Sequence, residues 1–294
     1  MEAFQKVHPL EFYKKFLERS VRPDGRGLDC FRKINISTGS IMTTDGSSFV
    51  KIGNTSVIAG VKAEVALTPT QSDNSISSNN NNNNNKMFVN VEMGPICSNI
   101  FSSSKPSEKA MSLCSQLNSL VNRLEINDKE LYFDDQGKYS WYLYIDLYCL
   151  DYNGNLMDAC VLAIMSALKN VKLPKGIVVE SSASEAPQLF KDTEQPMRSL
   201  NIGTYLIPQT FVLLNDYLLT DPSLEEEKLS SGTISITFND RFEICTLLYT
   251  GITSISEKIL EQCLEKTKKR STEIINLIDN CCTTINNSNN NNNI

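Results

Sequence analysis

The residues best placed to do chemistry lie where a strand pattern meets a helical one, at 150–170, LDYNGNLMDACVLAIMSALKN. The strand-like run WYLYIDLYCLDY arrives at an Asn-Gly turn. A helical pattern then leaves through Leu156, Ala159, Leu162, Ile164, Met165 and Leu168. A helix start presents unpaired N–H groups and the positive end of a dipole, so a strand-turn-helix junction can seat an anion such as phosphate. Whether this one is a phosphate site or a corner of the fold depends on the side chains around the turn. An imidazole base is nearly excluded. The single histidine, His8, stands before Pro9 at the entry of a first helix, where capping or solvation is the expected role, and one histidine cannot build a multi-histidine metal site.

A chain of 294 residues, 40% of them hydrophobic, is long enough to bury a well-formed core without staples. Its nine cysteines are scattered with no CxxC pair, which argues for reduced thiols in an intracellular compartment and against a zinc ribbon or disulfide scaffold. The opening MEAFQKVHPLEFYKKF lacks the basic and apolar regions of a signal peptide, and no apolar run approaches a membrane span. A soluble protein without membrane contact is expected. A net charge of -6 and a pI near 5.1 have the wrong sign for a broad, independent grip on nucleic acid.

The elements that must position the junction follow from periodicity and turn signals. Residues 9–20 read as a helix, ended by RPDGRG. INIS, SSFVKI and TSVIAGVKAEVAL form a meander around Asp45-Gly46 and Gly53-Asn54, and MFVNVEM adds a short strand. Pro106 opens an amphipathic helix, strand 139–151 leads into helix 155–170, and GIVVE at 176–180 is a further strand. Strands return over 204–249, with turns at Asn215-Asp216 and Asn239-Asp240, before a last helix from about Ser256 to Cys281. Its KTKKR segment reads as a solvated face. Polar tracts cannot offset their ordering entropy, so the Asn-rich insertion at about 72–86 and the tail at 284–294 are expected to be disordered. Between them lies one domain, 7–283, of two similar halves. The class is α+β, mostly antiparallel sheets packed with helices; frequent hairpins and the lack of a G-x-G-x-x-G helix start disfavour a doubly wound fold.

Three stretches, EFYKKFLERSVRPDGRGLDCFR, DGSSFVKIGNTSVIAGVKAEV and YIDLYCLDYNGNLMDACVLAIMSALKN, together resemble the RNase PH-like family, most closely ring subunits of the eukaryotic RNA exosome of the component 8 type. The resemblance implies a duplicated RNase PH-type fold, related to the second domain of ribosomal protein S5. It also implies a hexameric ring with other RNase PH-like subunits, capped by RNA-binding subunits of the S1/KH type, with RNA passing through the channel, in nucleus, nucleolus and cytoplasm. Active members use phosphate to cleave RNA from its 3' end, and hold that phosphate at the start of the central helix.

Against that pattern, Leu156 and Met157 stand where active members supply a hydroxyl and a guanidinium, although Gly154 still permits close backbone approach. In LLTDPSLEEEKLSSGTISI, Asp221 and Glu225–Glu227 remain, but SSG at 230–232 replaces the Asp that active members place before the next strand; the glutamate run reads as a solvated Pro/Ser turn. The Arg-rich stretch before the second helix is reduced to Lys105, Lys109 and Arg123, so Lys105 and Lys109 are the candidate RNA contacts, and weak ones. Asp24 with Arg22 or Arg26 is expected to pin the first helix to the meander. No catalytic residue, metal ligand or cofactor site is assigned, and the expected role is a non-catalytic ring subunit. A phosphate-dependent exoribonuclease is the alternative.

Overall fold

In the computed structural model the residues described are 2–68, 85–98, 101, 107–134, 137–179, 188–191 and 197–290. Two helices open the chain, α1 (Glu2–Val7) and α2 (Pro9–Leu17). Pro9 takes the first helical turn of α2, where a missing N–H costs nothing, and Phe12, Tyr13 and Leu17 form its buried stripe. The helix stops at Leu17 rather than 20 because Ser20 turns to positive φ.

A meander follows, β1 (Ile34–Thr38), β2 (Gly46–Ile52) and β3 (Thr55–Leu67). Then come β4 (Met87–Met93), α3 (Glu108–Val121) and β5 (Tyr139–Asp151). These strands form one sheet in the order β1-β2-β3-β5-β4. All its pairings are antiparallel except β4 on β5, whose connection through α3 is the crossover that a parallel pair requires. On β5, Trp141, Leu143, Ile145, Leu147 and Cys149 point into the core, while Tyr144 and Tyr148 face outward. Ser107 caps α3 by accepting the Ala110 N–H.

The central helix, α4 (Leu156–Asn170), is buried at every position from Leu156 to Leu168. A helix that is largely apolar on every side must be covered on every side, and its buried Asp158 must find partners inside. The first sheet packs on one flank of α4, and the second half of the chain packs on the other. Short strands β6 (Lys172–Leu173), β7 (Gly176–Val179), β8 (Gln188–Lys191) and β9 (Arg198–Ser199) pair as β6 with β9 and β7 with β8. The second main sheet, all antiparallel, has the order β11-β10-β12-β13. Its strands are β10 (Ile207–Leu214), β11 (Tyr217–Thr220), β12 (Gly232–Phe238) and β13 (Ile244–Gly251). Between β11 and β12 lies α5 (Leu224–Leu229), and α6 (Glu257–Asn290) ends the described chain. The core around α4 runs through both halves, from Val50 to Ile278.

Two expectations change. The helical backbone of α6 continues to Asn290, past the compositional boundary at 283. The glutamates at 225–227 form a helix, not a solvated turn: Ser223 accepts the Glu226 N–H, the Glu226 side chain accepts the Ser223 N–H, and Glu226 is 1% exposed. The Asn-rich insertion lies outside the described residues except for Asn85 and Lys86. Among the described residues, no helix is long and apolar enough to cross a membrane.

Candidate functional site at the start of the central helix

The turn from β5 into α4 is built from two left-handed residues. Gly154 has φ +79° and Asn155, at the helix N-cap, has φ +54°. The close approach that Gly154 allows is made by the chain itself. A Cβ there would lie 2.5 Å from the Leu224 nitrogen and 2.6 Å from the Pro222 carbonyl oxygen, so the loop into α5 rests directly on the turn.

That loop delivers a carboxylate to the helix start. The Asn155 N–H donates to Glu227 Oε1 at 2.6 Å, and the Tyr152 hydroxyl donates to Glu227 Oε2 at 2.6 Å. Lys109, in the first turn of α3, sits 3.4 Å from the same carboxylate and 4.3 Å from the centre of the Tyr152 ring. Burial and the Glu227 charge push the Tyr152 phenol upward, so it remains a donor. Beside this group a cavity of about 260 Å³ is lined by Lys109, Leu156, Met157, Thr210, Glu227 and Thr233, among others. Its mouth at the helix start thus carries two apolar side chains and an anion already in place.

Behind the turn lies a second carboxylate, Asp221, 1% exposed. Arg32 donates to it three times, from its backbone N–H at 2.7 Å, Nε at 3.0 Å and Nη2 at 2.8 Å. Arg26 Nη1 adds a contact at 3.3 Å and Asn155 Nδ2 one at 2.6 Å. Burial alone would raise the Asp221 carboxyl, but these Arg32 bonds, the guanidinium charge and Asn155 hold it below the usual range. The same Asn155 amide donates at 2.9 Å to Asp158, which also accepts from the Thr210 N–H at 3.0 Å and the Thr210 hydroxyl at 2.8 Å. Burial pushes Asp158 up to about 6, against those hydrogen bonds.

Arg22 completes the arrangement. Fully buried, it donates at 2.5 Å to the carbonyls of Leu28 and Thr220 and lies 3.4 Å from Glu226. The Asp24–Arg26 ion pair forms, at 2.6 Å, yet the anchoring runs elsewhere than expected. Arg22, Arg26 and Arg32 tie the first segment to Asp221 and Glu226 of the second half, and only Arg32 reaches the Asn153 carbonyl of the turn, at 2.8 Å.

The four acids of the 221–227 segment therefore face different partners: Asp221 the arginines, Glu225 the Tyr13 hydroxyl and Gln5 amide of the opening helices, Glu226 its own helix start and Arg22, Glu227 the turn at Asn155. Among the described residues, no three His, Cys, Asp or Glu side chains are placed to hold a metal ion. At 230–232, the Ser230 hydroxyl donates to the Glu227 carbonyl at 2.8 Å and the Ser231 hydroxyl to the Leu213 carbonyl at 3.0 Å. Lys109 is brought to the site, paired with Glu227; Lys105 lies outside the described residues. Arg32 and Asp158 carry the site without having been singled out in the sequence. The capping box at Ser223 and Glu226 was a readable signal for α5, whereas nothing local marks Arg32.

A central helix between two largely antiparallel sheets, entered by a glycine turn, defines the class as an α+β fold of two halves packed around one helix. The comparisons agree. Residues 30–174 match domain 1 and residues 204–270 match domain 2 of the RNase PH 3' exoribonuclease family, and the chain belongs to that family. It is 30% identical over 253 residues to the exosome complex component Rrp42 of Methanopyrus kandleri, covering 86% of this chain and 89% of that protein. Against the exosome complex component rrp43 of Schizosaccharomyces pombe it is 29% identical over 273 residues, covering 91% and 94%. Among solved structures, a chain of the Archaeoglobus fulgidus exosome with RNA bound to the active site superposes with a TM-score of 0.72 at 24% identity, over 91% of this chain and 96% of that one.

Proposed function

We propose that this chain is a non-catalytic subunit of an RNA exosome ring, supporting 3'-to-5' RNA processing by completing the channel. Membership of the RNase PH family and similarity to exosome components support the ring role. Its neighbours are other RNase PH-like subunits, with S1/KH-type subunits as the cap and RNA as the molecule passing through; it works in the nucleus, nucleolus and cytoplasm.

One observation carries the non-catalytic part: Glu227 Oε1 accepts the Asn155 N–H, at the helix start where a phosphate would have to sit. A phosphate charge about 4 Å from that carboxylate would meet roughly 4 kcal/mol of repulsion per unit charge at an effective dielectric near 20. Leu156 and Met157 offer no compensating donor side chain. The test is to assemble the ring with any hydrolytic nuclease inactivated and supply RNA and inorganic phosphate. No nucleoside diphosphate traceable to this subunit is expected. Release that disappears with Asp221→Asn, in a ring that still assembles, would establish a phosphorolytic enzyme instead.

A further inference from the structure

The outer face of the first sheet holds a row of aromatic rings in solvent. Phe88 is 42% exposed, Tyr144 39% and Tyr148 46%. They occupy outward positions of β4 and β5, where the parallel register sets Phe88 beside Tyr144, Asn90 beside Asp146 and Glu92 beside Tyr148. The Phe88 ring centre lies 5.5 Å from that of Tyr144 and 6.5 Å from that of Tyr142, with interplanar angles of 21° and 13°. Three nearly parallel rings thus form a flat platform. A single exposed apolar side chain needs no explanation, whereas a contiguous group marks a contact surface.

The charges on the same face decide what the platform fits. Outward positions of β3, β5 and β4 carry the carboxylates of Glu64, Asp146 and Glu92 against one ammonium, Lys62. Lys62 is already engaged, 3.3 Å from Glu64. Asp146 accepts from the Asn90 amide at 3.3 Å, and Glu92 stands against Tyr148. The Glu92 charge, with burial and the charge of Asp146, pushes the Tyr148 phenol upward, so its hydroxyl remains a donor. Among the described residues, no lysine or arginine pairs with Asp146 or Glu92.

We infer that this face docks an extended polypeptide segment bearing arginines, supplied by a protein partner. Aromatic platforms on sheets also hold unstacked RNA bases, but the accompanying phosphates need cations, and here they would meet Asp146 and Glu92. A guanidinium satisfies both features of the face: it stacks flat on an aromatic ring and pairs with a carboxylate through two parallel hydrogen bonds. The spacing adds a constraint. From the Phe88–Tyr144 pair to the Glu92–Tyr148 pair is a step of four residues, about 13 Å at roughly 3.3 Å each. Two arginines four residues apart on an extended segment project to one side and cover that span, one on the rings and one on the carboxylates.

The test is fluorescence anisotropy with a fluorescein-labelled glycine-serine peptide carrying two arginines four residues apart, titrated with the full chain and with the assembled ring. The same peptide with glutamines in place of the arginines, and a labelled oligouridine, are run beside it. Expected are binding of the arginine peptide to both chain and ring at least tenfold tighter than that of the glutamine peptide, at least tenfold weaker binding with Glu92→Gln and Asp146→Asn together, and about threefold weaker binding or more with Tyr144→Ala. Glu261→Gln, an exposed carboxylate on α6, should change nothing. Folding of each variant is checked by the fluorescence of the single tryptophan. Equal binding of the arginine and glutamine peptides, or a double variant that binds like the parent, overturns the inference. Oligouridine binding that is lost with Tyr144→Ala overturns it in favour of an RNA platform. Binding of the arginine peptide by the chain alone and not by the ring overturns it by making the face a contact between subunits, and leaves the ring role standing.

Discussion

Substituting Asp221 by Asn tests the arginine latch most sharply. The carboxylate is 1% exposed and receives three bonds from Arg32, one from Arg26 and one from Asn155. An amide supplies one acceptor where there were two and places an NH₂ against donors that lie 2.6–3.3 Å away. It also leaves the Arg32 guanidinium, itself only 10% exposed, without a counter-charge. Removing one partner of a buried ion pair costs about 3–5 kcal/mol. At roughly 2–3 °C per kcal/mol for a chain of this size, the unfolding midpoint should fall by about 6–15 °C. Trp141 is the only tryptophan, 1% exposed and edge-on to Phe133, so its fluorescence in urea reports the transition cleanly. A double-mutant cycle with Arg32→Gln should give a coupling of about 1–3 kcal/mol. A loss below about 1 kcal/mol, with additive effects, would refute the claim that this pair joins the two halves.

Other consequences can be measured directly. Asp158 has its carboxyl raised to about 6, so the folded chain holds a proton there that the unfolded chain has released. Its contribution to stability is largest at low pH and is lost as pH rises from about 4 through 6, by roughly 3 kcal/mol, and Asp158→Asn should flatten that slope in urea titrations. Asp221, held below the usual range, works in the opposite window: its contribution is present above about 4 and disappears on acidification below it. Gly154→Ala should cost about 2 kcal/mol or more, from positive φ and a Cβ 2.5 Å from the Leu224 nitrogen, whereas Gly25→Ala, with open space around it, should cost only about 1 kcal/mol. Because Glu227 already matches its charge, Lys109→Ala should change the RNA affinity of the assembled ring by less than about twofold across a salt titration.

Much of the scaffold was legible because its signals are local. The alternation in YSWYLYIDLYCLD sets β5 as Tyr139–Asp151, and the largely apolar run after the Asn-Gly turn, broken only by Asp158 and Ser166 before Lys169, sets α4, since a helix with no exposed polar face must be the buried one. Asp45-Gly46 and Gly53-Asn54 announced the meander. Pairing across distance was not legible. The parallel contact of β4 with β5 depends on a crossover, and no local pattern encodes it. The site shows the same limit: Arg32 meets Asp221 across 189 residues, and Asn155 meets Glu227 across 72. The apolar Leu156 and Met157 could be read as a missing phosphate grip. That a glutamate would fill the vacancy could not, because the run at 225–227 resembles a solvated turn until Ser223 and Glu226 are seen as a capping box.

The most direct measurement of the central claim is a crystal structure of the protein grown or soaked in inorganic phosphate. The account predicts Glu227 Oε1 on the Asn155 N–H, Tyr152 on the other carboxylate oxygen, and no ordered anion beside Leu156 and Met157. A phosphate resolved on that N–H, with Glu227 swung away, would contradict it.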